Sequence, residues 1–381
     1  MAKLAQPRTG KSLQILNRPI GFSFWPTYKG SRRHGLNSHV YATNPWALIQ
    51  VAVRKHCPAV AKEEALASLQ QAEFFYHSAV EARETAAKPL PLYYSFLNLA
   101  KAFALSRGIR TTFDKAQHGV RAQLVPGGKE LVDAYLDAYV SPAKVGHPNI
   151  FADFGAALGM APLTSTRQFK MMALLPQVIP GHRIWCDAAD EDERFFALES
   201  IPFSHSTSPK EIWATLCLLE DDLARIGKSR KTLLAETRLK GLFKEVVGYV
   251  EPQANRAVVR LEQIAPGPYT GRPSDRLANI VATLRPYIWS TATTVRPFRR
   301  YYLYASPTSE HPSVLPQALS IYAIAYYLGS ITRYRPQHFA RIIAGEFGEF
   351  IQEFLSSQPT QFLYLMASDF GKRDVARAPL V

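Results

Sequence analysis

The hydrophobic period of this chain changes twice, and that limits the architectures open to it. From Lys62 to Thr85 neither Gly nor Pro occurs, and Ala65, Leu69, Ala72, Phe75 or Tyr76, and Ala79 recur at helical intervals, so they share one face of a helix. Lys88-Pro89-Leu90-Pro91 interrupts that run. A second helix is predicted over Leu92–Arg107, with Gly108 as the residue just past its end. Helical spacing returns at Ser313–Arg333 and again from about Pro336 to Ser356. Between these ends the period shortens. Gln168–Leu175, Arg183–Ala188 and Arg194–Phe203 are short apolar or alternating runs parted by Pro-Gly and acidic turns, and they read as strands.

The remaining segments fill in the plan. Leu131–Tyr139 reads as a short helix. Ser208-Pro209-Lys210-Glu211 has the form of a capping box and predicts a helix through about Ile226. Thr237–Val250 reads as helical, Arg256–Gln263 and Arg299–Ala305 as strands, and Ser274-Asp275 as the cap of a helix to about Tyr287. Gln361–Ala367 fits a strand or a short helix. The first 60 residues, rich in Pro, Asn and aromatics, suggest an irregular arm that closes with a short helix from Pro45. The expected fold is mainly α (α+β). An N-terminal arm (1–60) precedes the first part of a helical bundle (61–150). An inserted α+β segment (151–305) follows, and C-terminal helices (306–381) complete the bundle.

Composition narrows the partners. A chain of 381 residues with 45 basic and 31 acidic side chains carries a formal charge of +14, so a polyanion, RNA or other nucleic acid, is the first partner to consider. A generally basic surface is the plainer alternative. Cys57, Cys186 and Cys217 show no metal-ligand or disulfide spacing, which fits a reducing, cytoplasmic setting. No apolar run approaches the roughly 20 residues that span a bilayer, and the N-terminus lacks the apolar core of a signal peptide. Thr9-Gly10-Lys11-Ser12 looks like the end of a phosphate loop, but Ala5 stands where the leading glycine belongs. Neither a cofactor nor a metal is therefore expected.

The chemistry concentrates at Arg333-Tyr334-Arg335-Pro336-Gln337-His338. A guanidinium can hold two oxygens of a phosphodiester while an imidazole moves a proton. The same residues could equally end one helix and begin the next. Upstream, Tyr94, Asn98 and Lys101 fall at i, i+4 and i+7 on an otherwise apolar helix, a polar stripe that needs partners. Those partners can lie in a site or simply within the bundle. Arg296, Arg299, Arg300 and Tyr301 sit in a run that interleaves arginines with aromatics. That suits phosphates and unpaired bases, or an edge strand with a basic outer face. Asp190–Glu193 reads as a solvated acidic turn and not as a cation site.

The Tyr-Tyr-Ser-Phe-Leu-Asn-Leu-Ala-Lys-Ala helix from Tyr93, the His118-Gly119 pair and Arg333-Tyr334-Arg335-Pro336 resemble the YaaC-like proteins of bacteria. Their arrangement is also similar to the HEPN superfamily, many of whose members are ribonucleases with an Arg-x(4–6)-His motif. That resemblance implies a HEPN-like helical bundle acting as a metal-independent ribonuclease or toxin-type effector in antiphage defence. Arg333 would bind the scissile phosphate and His338 would act as general acid or base, with Tyr334 and Arg335 in support. It also implies a homodimer. The competing expectation is a non-catalytic interaction or scaffold protein with a protein partner, its Arg-Tyr-x-Pro corner locking the bundle.

Overall fold

The structure is a computed structural model that describes residues 4–15, 17–26, 40–251, 255–294 and 299–378. The chain divides into two compact units, and each is built from separated stretches. One comprises 43–191 and 312–371, the other 1–42, 192–311 and 372–381.

The first unit carries the long helices. Their order is α1 (Pro45–His56), α2 (Ala59–Glu81), α3 (Pro89–Ser106), strands β1 (Val120–Leu124) and β2 (Ala134–Ala138), α4 (Ile150–Ala157), β3 (Arg167–Lys170) and α5 (His182–Ala189). After the chain returns come α6 (Gln317–Tyr334), α7 (Pro336–Ala344) and α8 (Gly348–Gly371). Pro89 starts α3 at a position where its missing N–H costs nothing. Gly108, at φ +69, ends it, with the Ile109 amide donating back to the Ala104 carbonyl. Nearly all of α3 is buried. Phe96 stacks on Phe362 of α8 with ring centroids 3.9 Å apart, and Phe103 meets Phe370 edge-on. Helix α6 passes so close to α3 that a Cβ at Gly329 would lie 2.9 Å from that of Tyr93. The three strands form an antiparallel sheet in the order β1-β2-β3.

The second unit is built on sheet. Phe203–Thr207, Lys210–Leu219, Arg256–Gln263 and Phe243–Glu251 pair antiparallel in that order, with Lys11–Ser12 beyond Phe203–Thr207. A three-stranded sheet joins Ile288–Ala292, Arg299–Tyr304 and Phe195–Leu198. The core gathers Phe203, Ile212, Leu216, Val259 and Leu261 against Leu277 and Ile280 of the helix Leu277–Leu284.

The architecture is therefore α+β. It corrects the expectation of a mainly α, HEPN-like helical bundle, because antiparallel sheets occur in both units and one supplies the framework of the second. Several local expectations change for identifiable reasons. Lys210–Leu219 is a strand although Ser208–Glu211 has the form of a helix cap. Its residues from Ile212 to Leu219 are buried without a break between two neighbouring strands, and such a run has no alternation to announce it. In Phe243–Glu251, expected to be helical, a register shift between Val246 and Tyr249 breaks the period of two. Leu131–Tyr139 holds β2, whose Ala134, Leu136 and Ala138 point inward while Tyr135 and Asp137 do not. Arg183–Ala188, expected as a strand, lies in α5. Gln361–Ala367, read as a strand or a short helix, is helical and belongs to the longer α8, which continues through Pro359.

Among the described residues, no helix is long and apolar enough to cross a membrane.

Candidate functional site

The C-terminal end of α6 gathers the chemistry. Pro336 disfavours a helical conformation at Arg335. That residue takes φ −145 and ψ 58, and α7 starts at once on Pro336. The break leaves Arg333 in the last turn of α6, where a cation faces the negative end of the helix dipole, and His338 in the first turn of α7. The two halves of the sequence motif then find different partners. The Arg333 guanidinium donates to the Tyr94 hydroxyl at 3.0 Å and lies 5.0 Å from the centre of the Tyr334 ring. His338 turns its Nδ1 toward Glu130, 3.7 Å away. The same carboxylate accepts from Arg341, whose guanidinium holds it below the usual glutamate range.

A second imidazole, that of His118, feels the charge of Arg333. His118 precedes Gly119, which has φ +77 and would drive a Cβ to 2.7 Å from that of Asn149, so no larger residue fits. The Phe151 amide donates to the His118 carbonyl at 3.1 Å and the Tyr139 amide to the Gly119 carbonyl at 2.9 Å. Held this way, the His118 Nδ1 lies 2.5 Å from the hydroxyl of Tyr93. Tyr93 is buried at 4% exposure, whereas His118 reaches solvent. Desolvation, and then the positive charge of Arg333, push the His118 imidazole below its ordinary pKa, which favours the neutral form near pH 7. Tyr93 and Tyr94 are adjacent on α3, so one helix turn positions the partners of both the imidazole and the guanidinium.

Beside this cluster, a cleft of about 230 Å³ opens between β1 and the α6–α7 corner, walled by Arg121, Gln123, Tyr326, Tyr334, Arg335 and His338 among others. Tyr326 connects the two places, since its ring also lies 6.0 Å from that of His118. Among the described residues neither Arg121, Arg333 nor Arg335 has an ion-pair partner.

Other residues singled out from the sequence are spread more widely. Asn98 is 5% exposed and its amide donates to the Tyr94 carbonyl one turn back, a bond internal to α3. Lys101 is half-buried on the same helix. In the second unit, Arg299 is 3% exposed and donates to the Ser290 hydroxyl and the Val375 carbonyl, with Nε 3.7 Å from Asp374. Its guanidinium is thus engaged inside the unit. Arg300 is exposed. Tyr301 packs edge-on against Phe22 and Phe24, and burial raises its hydroxyl pKa. Arg296 lies outside the described residues. Among the described residues the arginine-aromatic strand therefore offers one outward cation, Arg300, where its spacing suggested a row. His118 is the residue that motif spacing did not assign, although the His118-Gly119 pair was part of the family likeness.

The family described as YaaC-like Protein matches residues 34–370. No curated protein and no solved structure matches the chain.

Proposed function

The chain belongs to the YaaC-like family, and on that premise we propose that it binds RNA at the α6–α7 corner and cleaves it without a metal ion, as a ribonuclease or toxin-type effector. One observation carries the reading: a solvent-facing guanidinium, bonded to a phenol and among the described residues to no carboxylate, acts through its charge on an imidazole whose pKa burial already lowers. The Arg333 guanidinium can present two N–H groups to a phosphate. Cleavage of RNA needs little more, because the nucleophile is the substrate's own 2′-hydroxyl. When Nδ1 of His118 carries the proton and donates to Tyr93, Nε2 is free to accept the 2′-hydroxyl proton. The 2′-oxygen bonds to phosphorus, the P–O5′ bond breaks, and the departing 5′-oxygen takes a proton from water. The products are a 2′,3′-cyclic phosphate and a 5′-hydroxyl.

This reading moves the proton-transfer role from His338 to His118. His338 faces Glu130, and its neighbour in the ion-pair network is Arg341. The test is cleavage of single-stranded RNA in the presence of a chelator by the wild type and by His118→Ala, His338→Ala and Arg333→Ala. Loss of about 10²-fold or more in His118→Ala is the expected result. Full activity in His118→Ala would sink the assignment.

The Arg333–Tyr94 bond also favours a second reading, in which the arginine ties α6 to α3 and the corner serves a non-catalytic interaction protein. On that reading Arg333→Ala lowers the melting temperature and no RNA is cut by any variant.

A further inference from the structure

We infer that the cleft between β1 and the α6–α7 corner is a subsite for one unpaired nucleotide of an RNA chain, next to the cleavage cluster. The inference rests on the proposed RNA cleavage for its neighbour, but on separate residues for its own chemistry. Arg121 and Arg335 put two guanidinium groups on the cleft without an ion-pair partner among the described residues. Asp137 lies opposite Arg121 in the β1–β2 register, yet its two oxygens accept from Gln123 and Gln168. Paired cations of this kind suit a phosphodiester.

The aromatic side of the cleft fits a base. Tyr334 is 68% exposed, an unusual position for so large a ring. It lines the cleft while Arg333 lies 5.0 Å from its ring centre. A base stacked on Tyr334 would therefore sit next to the arginine that holds the scissile phosphate. Stacking on an exposed aromatic face is how single-stranded nucleic acid is commonly gripped, largely without regard to sequence. Gln123 and Ser330 add an amide and a hydroxyl at the cleft wall that can meet a base edge. An acidic peptide would use the two guanidinium groups but would leave the tyrosine ring without a role. Tyr326 closes the gap on the other flank, since it touches both the cleft and His118.

The experiment uses the full chain and two probes: a single-stranded RNA oligonucleotide made uncleavable by 2′-deoxy substitution, and free 5′-mononucleotides. Binding is read by calorimetry for the wild type, Tyr334→Ala, Arg335→Ala and His118→Ala, with melting temperatures to confirm folding. The expected result is oligonucleotide affinity weakened about tenfold in Tyr334→Ala and in Arg335→Ala, and retained in His118→Ala. Unchanged affinity in both cleft variants overturns the subsite even if the wild type cuts RNA. Free mononucleotides that bind more tightly than the oligonucleotide also overturn it, and assign the cleft to a small phosphorylated ligand. Binding that behaves as expected in a protein that never cleaves RNA leaves the subsite standing and removes the cleavage reading alone.

Discussion

The Tyr93 hydroxyl and the Nδ1 of His118 lie 2.5 Å apart, and one of them is buried while the other meets solvent. This bond fixes the imidazole at one nitrogen and leaves the other to whatever occupies the surface. It also joins α3 to the turn before β1, so that packing in the helical core and chemistry at the surface depend on the same tyrosine.

The pH dependence follows from the lowered pKa of His118. Its folded value lies below the ordinary value near 6.5 because of desolvation first and the Arg333 charge second. The unfolded chain therefore binds more protons in the window beneath pH 6.5. The stabilising contribution is present above that pH and is lost as pH falls through the folded value. An NMR titration of the His118 ring should show a midpoint below 6.5, and Arg333→Met should move it upward. A midpoint above 6.5 in the wild type would contradict the neutral imidazole.

Gly329 is where α6 and α3 approach most tightly. Gly329→Ala places a methyl 2.9 Å from the Tyr93 Cβ and 3.3 Å from the Pro89 carbonyl oxygen, which is backbone and cannot swing away. We expect a loss of about 1–3 kcal/mol from overpacking, measured by urea denaturation. Because Tyr93 must shift, the His118 titration should change as well. A stable variant with an unaltered His118 midpoint would show that the contact relaxes elsewhere.

Phe96 tests the core. It is 1% exposed and stacked on Phe362, so Phe96→Ala should cost about 3–5 kcal/mol. Chemical denaturation gives the value directly. A loss below about 1 kcal/mol would mean that α3 and α8 are not packed as described.

RNA binding should weaken as salt rises, because phosphate contacts release counterions. Arg335→Ala should reduce the slope of log affinity against log salt by about one. Fluorescence anisotropy with a labelled oligonucleotide from low to moderate ionic strength provides the measurement. An unchanged slope would place the phosphates elsewhere on the basic surface.

In the first unit α2 and α3 were legible because they keep a steady 3.6-residue pattern and are punctuated by Pro and Gly at their ends, whereas the eight-residue α5 was too short to show its period and read as a strand. Lys210–Leu219 was not, since a central strand buried from Ile212 onward offers no alternation and a local cap signal pointed the other way. Phe243–Glu251 hid behind its bulge. At the site, Arg333 could be found from its motif and its place after an apolar run. His118 could not be matched to it by spacing. Their proximity is created by α3 and α6 crossing at Gly329, a tertiary relation that no short motif encodes. His338 shows the opposite case, with the right spacing and a different partner.

The discontinuous layout of the first unit also sets an order of assembly. Tyr94 and Arg333 are 239 positions apart in the chain, and all of 192–311 must leave the ribosome between them. During that interval the apolar faces of α2 and α3 have no α6 or α8 to cover them, so early helices wait for late ones and chaperones have a defined stretch to protect. On the cleavage reading the delay has a further effect. The imidazole is made long before its phosphate clamp, and a half-made chain carries no complete centre with which to damage the RNA of the ribosome that is building it.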